Sequence, residues 1–291
     1  MKKTAYLTVA YLIFAFLGVY AQTQTTQITT TEVTPSVYRL FVNNAVAVVA
    51  FTGPEGTVLI DAAYEHTAKD LLKELENISN QPVKYLINTH IHGDHTGGNL
   101  VLGKDVDIIA HKNVKSFLGK EQRRGERIIP AFPDYALPNI TFSGKMELTI
   151  NGQEIQLKHL EGGHTNSDII VYFPDSKVLV VGDLLFAGFF PFVDTNNGGN
   201  PFKFLENILY IIDNYPPDTK VIGGHGPVFS MEQFKNYRTA LTQTIDVIAT
   251  HKKNGLTKQE MVEQRILKEW ESFGSFFITE ERWIETIYPF L

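Results

Sequence analysis

Residues Asn88–Asn99 read NTHIHGDHTGGN, and this stretch decides how the rest of the chain is understood. Three histidines and an aspartate, His90, His92, Asp94 and His95, fall within six residues. A neutral imidazole offers one ring-nitrogen lone pair and a carboxylate offers oxygen, a donor mixture suited to zinc or another borderline divalent ion. The preceding VKYLINT reads as a strand. Alternation at its end points His90 and His92 the same way, and Gly93 frees the backbone so that Asp94 and His95 turn towards a second position. Four donors on one turn exceed what a single catalytic ion takes from one segment. The spacing therefore points to two metals.

Two metals need ligands from elsewhere, and the sequence offers them beside other apolar strands. His164 lies in EGGHT after IQLKHL, Asp183 ends KVLVVGD, and His225 lies in IGGHG after KVI. Each has glycine beside it, where the backbone must pass close to an ion or another loop. A lone histidine near a strand end is more often a hydrogen-bonded structural residue. On that ground His66, His111, His159 and His251 stay unassigned, and Asp61 in TVLIDAA reads by itself as a turn residue.

The flanks bound the class of molecule. Residues 1–21 begin with Lys2 and Lys3, continue through an apolar run, and end in VYA before Gln22, the pattern of a secretory signal peptide cleaved near Ala21. An uncleaved membrane anchor is the alternative. Residues 22–35 are Gln/Thr-rich and read as a flexible lead-in. Residues 36–230 alternate strand and helix patterns, with a helix opened by Thr67 and Asp70 and another by Asn200 and Pro201. Residues 231–291 form a helical extension, with capping boxes at Ser230/Gln233 and Thr257/Glu260 and a stop at Gly255. The order of elements predicts a layered α/β fold.

Hydrophobic residues make up 43% of the chain and charged residues 20%, enough apolar content for a large core. The formal charge of -6 argues against a nucleic-acid partner and leaves a small-molecule substrate. Cysteine is absent, which removes thiolate nucleophiles, lipidated cysteines and cysteine ligands. No segment beyond the first twenty residues reads as a membrane span, and no feature addresses the oligomeric state. EQRRGER, residues 121–127, is the one basic run and reads as a solvated loop.

Taken together, THIHGDHTGGN, EGGHTNSD, VVGDLLF and GGHGP resemble the metallo-β-lactamase-fold hydrolases, over roughly residues 36–230. The resemblance implies a four-layer αβ/βα sandwich with the site at one edge of two facing sheets. It implies one ion held by His90, His92 and His164, a second held by Asp94, His95 and His225, and Asp183 bridging them. Asp61 matches the family's first motif, which supports the metal loop. Two Zn2+ ions are implied, with iron or manganese as alternatives. The dedicated β-lactamases carry cysteine or serine where this chain has Asp183, and some place a lysine shortly afterwards. This chain has LLFAGFFPF there, so antibiotic hydrolysis is at most a side activity.

The mechanism that follows uses a metal-bridging hydroxide to attack the carbonyl carbon of a lactone, ester, thioester or β-lactam, with Asp94 orienting the nucleophile. Export to the periplasm or beyond follows from the signal. Two other classes compete: an iron-dependent enzyme like the superfamily's sulfur dioxygenases, and a non-catalytic metal-binding protein. The segment 184–202 carries five phenylalanines and no lysine or arginine, so at least one ring should line an apolar groove that favours uncharged substrates.

Overall fold

The computed structural model describes residues 26–291, and the expected signal peptide over 1–21 lies outside them. The lead-in expected to be flexible is partly strand: Ile28–Thr34 (β1) pairs antiparallel with Val37–Val42 (β2). The physical reason is in ITTTEVT, where β-branched threonines stiffen the chain and fit a half-exposed pleat. Composition alone hid this, because threonine is polar as well as β-branched.

The next strand, Val46–Phe51 (β3), is buried at every position, as is Thr57–Ile60 (β4). A turn over Glu65–Thr67 precedes the first helix, Ala68–Glu76 (α1). Thr67 precedes α1 as expected but its side chain does not cap it: its backbone is already helical and its hydroxyl donates to the Tyr64 carbonyl at 3.0 Å. From α1 the chain enters Val83–Asn88 (β5), parallel to β4, which delivers it into the histidine-rich turn. Short helices Gly93–Thr96 (α2) and Asn99–Leu102 (α3) follow, then Asp107–His111 (β6) and Lys112–Leu118 (α4). A small hairpin, Gln122–Arg124 (β7) with Arg127–Ile129 (β8), projects before Ile140–Phe142 (β9). The first sheet runs β1-β2-β3-β4-β5-β6-β9.

The stretch ITFSGKMELTI, read as one β run, changes sheets in its middle. Beyond Ser143 and Gly144, Lys145–Ile150 (β10) opens the second sheet. Gln153–His159 (β11), Ile169–Phe173 (β12), Val178–Phe186 (β13), the helix Pro201–Asn214 (α5), Lys220–His225 (β14) and Phe229–Ser230 (β15) complete it in the order β10-β11-β12-β13-β14-β15. Asp183 lies inside β13 rather than at its end, because the strand continues past a register shift at Gly182.

Alternation along the strands distributes three cores. Val37, Val49, Phe51, Ile60 and Ile87 face Leu157, Val171, Phe173 and Val180 between the two sheets. Leu40, Val48, Leu59 and Leu86 face the other way, onto Leu71, Leu75 and Leu102 of α1 and α3. Leu179 and Val181 turn outward onto Phe204 and Ile208 of α5 and onto the C-terminal helices Met231–Lys253 (α6), Lys258–Glu263 (α7) and Glu280–Ile287 (α8). The result is a four-layer αβ/βα sandwich. Asn200 accepts from the Phe202 and Lys203 amides with Pro201 at the first turn of α5, and both predicted capping boxes form on α6 and α7. Trp283 of α8 is fully buried, with its indole N–H on Thr244 Oγ1 at 2.9 Å.

Candidate metal centre

All seven predicted residues converge at one edge of the sandwich, where β5 and β14 end and β13 carries Asp183 within its second half. Ligand-type atoms of His90, His92, His164 and Asp183 lie within 4.8 Å of one another, and so do those of Asp94, His95 and His225. Asp183 touches both groups: Oδ1 is 3.1 Å from His95 Nε2, while Oδ2 is 3.3 Å from His225 Nε2, 3.4 Å from His164 Nε2 and 3.6 Å from His90 Nε2. Asp94 Oδ2 stands 3.5 Å from His225 Nε2 and 3.6 Å from His95 Nε2. The approach leaves no room for a side chain on Gly224, whose added Cβ would meet Asp183 Oδ1 at 2.0 Å.

The outer nitrogen of every ring has an acceptor. His164 Nδ1 faces the Phe192 carbonyl at 2.6 Å, and His225 Nδ1 faces the Ala45 carbonyl at 2.7 Å. His95 Nδ1 meets Asp61 Oδ2 at 2.7 Å. Thr89 Oγ1 donates to Asp61 Oδ2 at 2.8 Å, so it accepts from His90 Nδ1 at 2.9 Å. His92 is reversed: its Nε2 meets Asp194 Oδ2 at 2.9 Å. Since each outer nitrogen donates, the inner nitrogen of each neutral ring carries a lone pair.

That assignment tests whether a cation belongs here. The lone-pair nitrogens His90 Nε2 and His164 Nε2 stand 3.2 and 2.8 Å from His92 Nδ1, too close for three acceptors with nothing between them. His95 Nε2 and Asp183 Oδ1 are buried with no hydrogen-bond partner. The donor set of five imidazoles and two carboxylates fits two divalent ions.

Electrostatics divide the rings. Burial, reinforced by the His95 charge, holds His90 well below the usual histidine range, and burial brings His164 down to about 4, so both stay neutral as ligands require. Burial opposes a charge on His95 and His225 as well, but carboxylates, chiefly Asp183, outweigh it and raise both. Burial likewise opposes ionisation of Asp183, yet His225, His95, His90 and His164 keep it well below the carboxylate range. The Asp183 carboxylate thus favours positive charge beside it, on His95 and His225.

Asp61 supports this turn at a conformational cost. Its φ of 65° is unusual for a residue with a side chain, and it places the carboxylate on Thr89 N at 2.8 Å as well as on His95. Asp168 holds the third loop by accepting from His164 N at 2.7 Å and Thr165 N at 2.9 Å. Asp194 was missed in the sequence because its only signal is a position eleven residues beyond Asp183, with no motif around it. The unassigned His111 and His159 stack on each other, ring centroids 3.7 Å apart, away from the seven.

The cluster opens into a cleft of about 1230 Å³. Phe192, Phe276 and Phe277 form one wall, and Arg123 and Arg127 of the β7–β8 hairpin form another. Of the five phenylalanines expected near the site, Phe186 and Phe190 are buried in the core, Phe202 is exposed, Phe192 lines the cleft, and Phe189 is half-buried beside an adjoining pocket. The cleft is not free of cations, as the aromatic segment alone suggested. The basic run read as a solvated loop folds into a hairpin over the site, a long-range placement that local composition cannot encode.

A family model for the metallo-beta-lactamase superfamily matches residues 38–241. A linear primary-alkylsulfatase of Pseudomonas sp. is 23% identical over 257 residues, covering 72% of this chain and 48% of that protein. Among solved structures, a metallo-beta-lactamase from Pontibacter korlensis superposes with a TM-score of 0.62 at 22% identity, over 74% of this chain and 99% of its own. The stereoselective inverting sec-alkylsulfatase Pisa1 from Pseudomonas sp. superposes with a TM-score of 0.67 at 16% identity, over 90% of this chain and 50% of its own. These structural likenesses concern the fold. The chain spans about half the length of the first curated relatives it matches. With the family model matching well over half of its length and the HxHxDH turn seated among its partners, the chain belongs to the metallo-beta-lactamase superfamily.

Proposed function

We propose that this protein is an exported, dinuclear metal-dependent hydrolase that attacks a carbonyl carbon, with lactones, esters, thioesters and β-lactams as the candidate substrates. The observation that carries the reading is the set of lone-pair nitrogens converging beside Asp183, with every outer ring nitrogen occupied. Zinc is the proposed metal, since nitrogen and carboxylate donors without thiolate suit it. Two such ions, when bound, supply a water whose pKa falls from 15.7 to about 7 and Lewis acidity towards the bond under attack.

The chain's own residues do the rest. His90, His92 and His164 would hold one ion, Asp94, His95 and His225 the other, and Asp183 would contact both. Asp94 is the most exposed of the seven, with 21% of its side chain open to solvent at the cleft floor. Its carboxylate would accept a hydrogen bond from the attacking water and fix the direction of attack. Phe192 and Phe277 would desolvate an apolar substrate body. Among the described residues no helix is long and apolar enough to cross a membrane; export with cleavage near Ala21 rests on the sequence of residues 1–21.

A second reading has its own observation. Arg123 and Arg127 at the cleft suit an anionic ester, and the alkylsulfatases that resemble this chain make a sulfate ester the form to include. Hydrolysis by the zinc-loaded mature chain should therefore be assayed across lactones, thioesters, aryl esters, β-lactams and alkyl sulfates. Turnover of at least one class, abolished by a chelator and restored by metal, supports the proposal. Metal-dependent oxygen uptake with a thiol substrate and no hydrolysis would replace it with a redox enzyme.

A further inference from the structure

Alternation along β2 turns Val37, Arg39 and Phe41 to the same face, towards the core between the sheets. A guanidinium at the middle position of that face is an anomaly. Arg39 is only 6% exposed. Its Nη2 donates to the Gly226 carbonyl, and the guanidinium lies 4.0 Å over the Phe41 ring. Its Nε is buried with no hydrogen-bond partner. Among the described residues, the ion pairs of lysine and arginine involve other side chains, and none includes Arg39. Burial brings its pKa down to about 10, so it remains a cation at neutral pH.

Buried charges are ordinarily paired, because one carbonyl and one aromatic face recover little of the lost hydration. What lies next to Arg39 is a pocket of about 350 Å³, lined by Arg39, Phe41, Phe189, His225, Pro227 and Phe276, among others. It shares Ala45, His225 and Phe276 with the cleft over the metal cluster. It is therefore a side chamber of the same site, apolar on its walls and cationic at one point.

Resting on the hydrolase reading, we propose that Arg39 anchors an oxyanion, carboxylate or sulfate, on an otherwise apolar substrate whose scissile bond lies across His225 at the metal cluster. A guanidinium presents N–H donors in a planar fork that matches such an oxyanion, and the dry setting strengthens the pairing. Phe189 and Phe276, whose rings pack 5.0 Å apart, cover the adjoining apolar body. The substrate class is thus an amphipathic ester that carries a second, uncleaved anionic group. This reverses the preference for uncharged substrates drawn from the phenylalanine-rich segment.

Arg39 also holds the Gly226 carbonyl next to His225, and a purely structural role must be separated from substrate binding. The metal-loaded protein, in wild-type, Arg39→Gln, Arg39→Lys and Asn44→Asp forms, should be given matched esters that differ only in a distal carboxylate. Lysine keeps a donor long enough for the Gly226 carbonyl, and glutamine removes the charge. Aspartate at 44, which also lines the pocket, adds a negative charge that opposes an anionic ligand there. In wild type, kcat/KM favours the carboxylated ester. In Arg39→Gln and Asn44→Asp the carboxylated-to-neutral ratio falls by about tenfold or more, and Arg39→Lys retains part of it. A parallel fall on both esters with the ratio unchanged overturns the proposal, and Asn44→Asp decides the matter if Arg39→Gln does not fold.

Calorimetry with octanoate, octyl sulfate and octanol separates this claim from the hydrolase reading. Octanoate or octyl sulfate binding that weakens about tenfold in Arg39→Gln, with octanol little affected, supports the anion site even in a protein that hydrolyses nothing tested. Comparison of the two anions identifies which headgroup is preferred. Hydrolysis of neutral esters combined with anion binding that ignores Arg39 leaves the hydrolase standing and removes the anion site.

Discussion

Two neighbouring regions treat buried polarity in opposite ways. Around the seven ligands, each outer ring nitrogen has an acceptor supplied by the chain, whether Asp61, Thr89, Asp194 or the carbonyls of Ala45 and Phe192. In the adjoining chamber, Arg39 has no counter-ion and its Nε no partner among the described residues. The difference teaches where each region looks for its complement. The cluster is prebuilt to present lone pairs inward to something permanently held. The chamber leaves one charge for something that comes and goes.

The largest expected effect breaks the cluster at its shared member. Asp183→Ala removes the one carboxylate among the described residues that touches both ligand groups, and it should lose at least one ion and more than a hundredfold in activity. Metal analysis alongside steady-state kinetics checks this, and a fully active variant would refute the shared role. Next is Asp61→Ala, which strips the acceptor from Thr89 and His95 together. A fall in metal affinity of about 10- to 100-fold should follow, read by competition with a chromogenic chelator.

Asp194→Asn sharpens the comparison with a milder change. The amide can still accept from His92 Nε2, but it loses the charge that burial opposes and that His92 and Asn197 hold at a pKa of about 2. Metal affinity should drop by about tenfold, less than for Asp61, because only one ring is supported. An equal or larger drop than Asp61→Ala would mean that His92 dominates the site.

How much of this was legible beforehand follows the same division. The HxHxDH turn and the glycine-flanked His164, Asp183 and His225 were readable because ligand chemistry demands particular residue types at short spacing. The strand alternation that builds both sheets was readable for a similar reason. Asp194, Arg39 and the β7–β8 hairpin were not, since what matters there is contact between residues far apart in sequence. Arg39 bonds the Gly226 carbonyl across 187 positions, and His92 meets Asp194 across 102. β1 was hidden differently: its threonines look like linker composition until β2 offers an edge to pair with.

The smallest effect concerns a pair outside both regions. Burial, then the neighbouring His159, brings His111 down to about 4, and burial lowers His159 too. A histidine whose folded pKa is depressed takes up its proton on unfolding, so stability declines as pH falls from about 6.5 towards 4. His111→Gln should flatten that slope without altering metal content, as read by thermal melts across this range. An unchanged slope would assign the acid sensitivity to the metal ligands instead.

The central claim is that the inward lone pairs hold two ions around Asp183. Native mass spectrometry of the metal-loaded protein, with Asp183→Ala beside it, tests this most directly. Two divalent ions per chain in the wild type and one or none in the variant are the predicted result. A single ion in the fully active wild type, or two ions retained without Asp183, would contradict it.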